Sequence, residues 1–240
     1  VMSDAILVLN AGSSSIKFSL FLAQDGALDL FLGGQLEGLY TESHFIARDA
    51  AGVVLGERRW APGEALGHDG GLRHLAGFLR VQLGEHRLAA VGHRVVHGGL
   101  KYSAPVRLTP DLVSELEQFI PLAPLHQPHN LAPIRALFAY QPDLPQVACF
   151  DTAFHRQQPE VAQAFALPPE ITDRGVRRYG FHGISYEYIA SVLPRVDPQA
   201  AQGRTVVLHL GNGASMCAIH SGHSMASTMG FTAVDGLPMG

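Results

Sequence analysis

Two cysteines in 240 residues, a single tryptophan and no run of lysine or arginine set the first limits on this chain. Two cysteines are too few for a disulfide-framed domain. Cys149 and Cys217 lie in the apolar, strand-like runs QVACF and SMCAI, where a buried free thiol is a commoner reading than a disulfide or a metal ligand. With a net charge of −4 and no basic run, a nucleic-acid or polyanion footprint is excluded, so any phosphate recognised is bound locally. No apolar run approaches the roughly 18 residues of a membrane span. The start, VMSDA, has no basic region ahead of a short apolar one. The expectation is a cytoplasmic protein with neither a membrane nor a nucleic acid as partner. What remains is 47% hydrophobic and 16% charged, the composition of a soluble chain with a sizeable core, as one large domain or two small ones.

The stretch ILVLNAGSSSIKFSLF, from Ile6, carries a glycine, three serines and a lysine. It is not a Walker loop, because Lys17 follows Gly12 without a second glycine. Ile16, Phe18 and Leu20 alternate with Lys17 and Ser19, which is the period of a strand. The segment therefore predicts strand, tight turn, strand. Turn N–H groups and the hydroxyls of Ser13, Ser14 and Ser15 can converge on an anion with Lys17 as a nearby charge; an ordinary polar turn explains these residues equally well.

LDLFLGGQLEGL, SHFIARDA and GVVLGERRW predict further antiparallel strands, and leucines at helical spacing predict a helix from about 70 to 83. LAAVGHRVV reads as a buried strand. TPDLVSELEQF opens a helix with Thr109 as N-cap and Pro110 at the first helical position; NLAPIRALFAY is a second helix and QVACF a short buried strand. RTVVLHL and ASMCAIH flank the turn GNG. VLNAGSSSIKF and VLHLGNGASMC thus repeat one device, which suggests two related halves. Two phosphate-gripping hairpins facing across a cleft would make a nucleotide site.

His93 and His97 are four apart, but on a strand that separation is about 13 Å, too far to share a metal. Arg94, at a strand end beside two glycines, can offer a planar fork to an anion or form a structural ion pair. Asp151 follows QVACF, at the strand's carboxyl end where open α/β sheets place ligands. It can hold Mg²⁺ through water or merely cap a turn. RRYGFHG sets two arginines, an apolar ring and His182 together, suited to a small anion with an apolar tail; His182 alone could equally be a core histidine.

Together, LNAGSSSIKF, GHRVVHGG, PLAPLHQPHN, FDTAFH, RRYGFHG, HLGNGAS and STMGFT resemble the acetate kinase family, within the group of acetate, propionate and butyrate kinases. Seven ordered motifs are a specific signal, although residues from about 24 to 85 and 156 to 176 contribute little to it. The resemblance implies an α/β, actin-like ATPase (ribonuclease H-like) fold. Its first domain would span 1–150 and the beginning of a second 151–240, each opening with a phosphate hairpin.

By matching motif, the resemblance assigns Asn10, Ser13, Ser15 and Lys17 to the first phosphate and magnesium region, and Asp151 to the magnesium site. Arg94 would contact the substrate carboxylate and the transferring phosphoryl group, with His182 and Asn212 stabilising that group. His209, Gly211, Asn212 and Gly213 would form the second phosphate hairpin. Val96, Leu125, Phe181 and Ala233 would line the acyl pocket, with His126 beside it. The implied reaction is reversible phosphoryl transfer from ATP to acetate or another short-chain carboxylate, giving an acyl phosphate and ADP with Mg²⁺, in a homodimer. Propionate or butyrate kinase is the neighbouring alternative, and a sugar kinase or chaperone ATPase of the same superfamily a weaker one.

Several positions depart from the usual motifs: Ala11 where cysteine is frequent, GFHGISY for GFHGTSH, and FTAVDGLPMG for FTPLEGLMMG. These departures bear on substrate preference more than on activity. Family members run to roughly 400 residues, so the expectation is a truncated chain ending at Gly240, inactive alone as a phosphate-binding module.

Overall fold

An apolar run, AILVL, and an alternating one, IKFSL, decide the first two elements. In the computed structural model, which describes residues 2–239, Asp4–Ala11 (β1) and Ile16–Gln24 (β2) form an antiparallel pair that sets Asn10 opposite Lys17 and Ala11 opposite Ile16. The predicted strands follow as Ala27–Glu37 (β3), His44–Asp49 (β4) and Val54–Arg59 (β5), each antiparallel to its predecessor. Asp25 and Gly26 both have positive φ, the requirement of the two-residue turn that suits the twist of paired strands.

Gly67–Leu83 (α1) starts three residues before the predicted helix. Arg87–Val95 (β6) lies parallel to β1. Here the structure differs from the sequence reading: the strand ends at Val95, so His97 lies beyond it. Val106–Arg107 (β7) is a short edge strand. Pro110–Glu117 (α2) begins as predicted, with the Leu112 N–H donating to Thr109 Oγ1 at 3.2 Å. Gln127–Tyr140 (α3) begins before the predicted NLAPIRALFAY segment, and Gln146–Phe150 (β8) is the expected buried strand. The resulting sheet has the order β5-β4-β3-β2-β1-β6-β8-β7.

The chain divides into two compact units. One comprises Val1–Arg94, Arg107–Glu117 and Leu125–Ala148; the other comprises Val95–Val106, Gln118–Pro124 and Cys149–Gly240. Val1 and Gly240 lie outside the described residues, and with them the final position of the expected second domain. The first unit's core gathers one face of each strand: Leu7 and Leu9, Ile16, Phe18 and Leu20, Leu32 and Leu36, with Leu75 and Leu79 from α1 packed on them. Alternation turns Asn10, Lys17 and Arg94 to the other face.

In the second unit the stretch after β8 holds a 3-10 turn, Ala153–Gln157, and two single-turn helices, Glu160–Gln163 (α4) and Pro169–Thr172 (α5). Gly183–Val196 (α6) and Pro198–Gln202 (α7) precede Arg204–Leu210 (β9), Ala214–His220 (β10) and His223–Ser227 (β11), a sheet of order β11-β10-β9. Tyr186 of α6 packs on Cys217 and Ile219 of β10. Both cysteines are free; Cys217 is buried as expected, whereas Cys149 is only half-buried.

Candidate functional site

In the first unit, β1 delivers the chain into a turn, Gly12–Ser15, where protein donors take the carbonyls of Gly12, Ser14 and Ser15 and that of Ala11 just before it. The Asn130 amide donates to Ala11 O at 2.6 Å and the Gly12 N–H to Ser15 O at 2.8 Å. The Leu39 N–H donates to Ser14 O at 3.1 Å, and His68 Nε2 to Gly12 O at 2.7 Å. Since His68 Nε2 carries the proton, its Nδ1 accepts from the Tyr40 hydroxyl at 2.8 Å. With these acceptors occupied, the turn presents N–H groups and serine hydroxyls, and Ser13 and Ser14 are exposed. Such a surface suits an anion.

Asn10 and Lys17 flank this turn, and Arg94 on the neighbouring strand donates from Nη1 to Asn10 Oδ1 at 3.2 Å. The structure thus brings Asn10, Ser13, Ser15, Lys17 and Arg94 to one end of one sheet. Leu125 belongs to this unit and is 67% exposed.

In the second unit Asp151 directly follows β8 and is buried. Its carbonyl accepts from the Gly183 N–H at 2.9 Å, and a Cβ on Gly183 would lie 2.1 Å from that oxygen, so only glycine permits this crossing. The preceding residue, His182, has a left-handed backbone (φ +57°) at the start of α6, a strained conformation of a kind that collects at functional sites. Its ring stacks on His209 with centroids 4.1 Å apart. His209 Nδ1 lies 3.1 Å from Ser185 Oγ, and His182 Nδ1 2.8 Å from Ser215 Oγ. The Gly211–Gly213 turn between β9 and β10 exposes Gly211 and Asn212, and Gly213 lies against the His182 ring. Asp151, His182, His209, Gly211, Asn212 and Gly213 are therefore features of this one unit. Val96, Phe181 and Ala233 join a single apolar cluster with Ala123, Tyr179 and Met229.

Sequence reasoning missed the supports. His68 and Tyr40 lie in a stretch without a motif, and nothing local marks them. Asn130 does end the motif PLAPLHQPHN, so a signal existed. His155, last residue of FDTAFH, is buried. Its Nε2 donates to Phe181 O at 2.9 Å and its Nδ1 faces Ser224 Oγ at 2.8 Å. Burial holds its pKa below the usual histidine value, so the ring is neutral.

The sequence pattern of the Acetokinase family matches residues 5–240. The chain belongs to the acetokinase family. It is 54% identical to an acetate kinase of Rhodopseudomonas palustris, covering 100% of this chain and 60% of that protein. An acetate kinase of Streptomyces coelicolor is 42% identical over 99% of this chain and 59% of its own. Among solved structures, a propionate kinase from Francisella tularensis superposes with a TM-score of 0.85 at 34% identity, covering 98% of this chain and 60% of that one. The acetate kinase of Porphyromonas gingivalis gives 0.79 at 34% identity, over 99% and 60%. The fold is accordingly the α/β fold of the actin-like ATPase superfamily, and the chain spans about 60% of the length of these relatives.

Proposed function

We propose that this chain carries the phosphoryl-transfer residues of an acetate kinase, which moves the terminal phosphoryl group of ATP reversibly to acetate, giving acetyl phosphate and ADP. The observation that carries the reading is the donor-presenting turn Gly12–Ser15 with Asn10, Lys17 and Arg94 at its side. The relatives' names support the choice of acetate.

A carboxylate is already a nucleophile, so the chain needs no general base. Its task is to align reactants and neutralise charge on the equatorial oxygens. Ser13, Ser15 and Lys17 bind phosphate oxygens, as do Gly211, Asn212 and Gly213 with His209. Arg94 offers its fork to the acyl carboxylate and the transferring group, and His182 and Asn212 donate to that group. Val96, Phe181 and Ala233 exclude water around the acyl chain. Among the described residues no three His, Cys, Asp or Glu side chains cluster as a metal cage. The buried carboxylate of Asp151 in the second unit and the amide oxygen of Asn10 in the first are each the kind of oxygen donor that suits Mg²⁺, which takes few protein ligands and keeps waters and phosphate oxygens. When bound, the ion supplies charge neutralisation between phosphate oxygens. Among the described residues no helix is long and apolar enough to cross a membrane.

The test is made in the full-length protein with a hydroxamate assay for acetyl phosphate. Turnover in the range of about 1–100 per second is expected, falling on the order of 10³-fold in Arg94→Ala. Arg94→Lys should rescue poorly, because a point charge cannot reproduce the fork. Turnover of Arg94→Ala within a few-fold of wild type would make Arg94 structural. Propionate is a second reading, favoured by Ala233 in the acyl cluster.

A further inference from the structure

We propose that Tyr186 is a positioning residue which, through Ser215, fixes the tautomer of His182 so that its Nε2–H is turned toward the Gly211–Gly213 turn. The functional weight of this rests on the reading of His182 as a donor to the transferring phosphoryl group; the tautomer does not.

The spacing comes from two elements. Tyr186 follows His182 by four residues in the first turn of α6, with its N–H donating to His182 O at 3.2 Å. Ser215 is the second residue of β10, on the face that packs against α6 through Cys217 and Ile219. Ser215 Oγ lies 2.8 Å from His182 Nδ1 and 2.5 Å from the Tyr186 hydroxyl, and both Ser215 and Tyr186 are fully buried.

The direction of the chain of bonds follows from counting protons. Burial pushes the Tyr186 phenol above its usual pKa, so it keeps its proton. That proton finds its acceptor in Ser215 Oγ. Were Ser215 to donate to Tyr186 instead, the phenol proton would be left without this acceptor inside the fold, and an unsatisfied buried donor costs more than a made hydrogen bond gains. Ser215 therefore accepts from Tyr186; its own single proton, equally buried, finds its acceptor in His182 Nδ1, the other group within hydrogen-bond distance of Oγ. A neutral His182 then has Nδ1 as acceptor and its proton on Nε2. Nε2 lies 3.0 Å from where a Cβ on Gly213 would stand, so the protonated nitrogen is the one beside the turn. The His209 ring, stacked at 4.1 Å, blocks rotation on the other side. In the usual family motif a histidine occupies position 186; here the phenol does the orienting.

The experiment is ¹⁵N NMR of the histidine rings in the 240-residue protein, with the His182 signals assigned by their loss in His182→Gln. In wild type the neutral ring should favour Nε2–H over Nδ1–H by about tenfold or more. Ser215→Ala and Tyr186→Phe should bring the two forms to within a few-fold while the backbone amide spectrum stays that of the folded protein. A wild-type ring protonated mainly on Nδ1, or ratios unchanged in both variants, would overturn the proposal, and the wild-type ratio decides even if a variant does not fold. In the full-length protein each variant should lower kcat by about tenfold and leave KM for ATP within about twofold. Absence of kinase activity in wild type would remove the kinase reading and leave the tautomer result standing.

Discussion

At the scale of single residues, the proposed acyl-pocket position Ala233 is where the acetate and propionate readings can be tested against each other. It packs, partly buried, on the cluster of Val96, Tyr179, Phe181 and Met229, and it stands where the family motif has proline. Alanine lacks two of proline's ring carbons. Its neighbour Val234 does not fill the difference, being 72% exposed, while Phe181 is already fully packed. One methylene in an apolar pocket is worth about 1–3 kcal/mol, or roughly 10–200-fold in specificity. The full-length enzyme is therefore expected to use propionate comparatively well, with Ala233→Pro shifting kcat/KM back toward acetate by about tenfold. An unchanged acetate-to-propionate ratio would show that this position does not set the size limit.

At the scale of elements, the Gly12–Ser15 turn is shaped from outside itself. His68 of α1 holds the carbonyl of Gly12, and Asn130 of α3 that of Ala11 at the end of β1 just before the turn. Asn130→Ala removes the donor and leaves Ala11 O buried without it, a loss of about 1–3 kcal/mol. A urea midpoint lowered by that amount is expected, together with a several-fold rise in KM for ATP. A loss below about 0.5 kcal/mol would mean that the turn holds its shape alone. The strands were legible because both of their signals are local: β2 shows a period of two, while β1 and β6 are short apolar runs, and the alternation of burial along the strands puts Asn10, Lys17 and Arg94 on one face. Helix α6 was not legible. It starts at Gly183, its N-cap His182 makes no side-chain cap hydrogen bond, and it contains Pro194, so both usual end signals are misleading. His68 reaches Gly12 across 56 positions, a pairing that no short sequence pattern encodes. The motif residues were legible, and the groups that hold them were not.

At the scale of the molecule, two buried histidines couple folding to acid. His93 is 1% exposed and donates from Nε2 to Gln146 Oε1 at 2.8 Å. His97 is fully buried among Phe119, Tyr179 and Phe181, with Nδ1 accepting from the Gly99 N–H at 2.9 Å. Burial lowers each from the usual 6.5 to about 4. Both rings are thus neutral when folded, while the unfolded chain takes up protons as the pH drops below 6.5. The unfolded state then binds more protons, and stability falls. The contribution is complete above pH 6.5 and is lost as the pH falls to about 4. At about 1.4 kcal/mol per pKa unit, each histidine accounts for on the order of 3 kcal/mol, a large share of the roughly 5–15 kcal/mol that holds a domain folded. One lies in each compact unit, so both units are expected to weaken over the same window. Urea unfolding followed from pH 7 to 4.5 should show the midpoint falling steeply below 6.5. His93→Gln and His97→Gln should start less stable at pH 7 and lose less over that range. A midpoint that falls in parallel with wild type in both variants would place the acid sensitivity elsewhere.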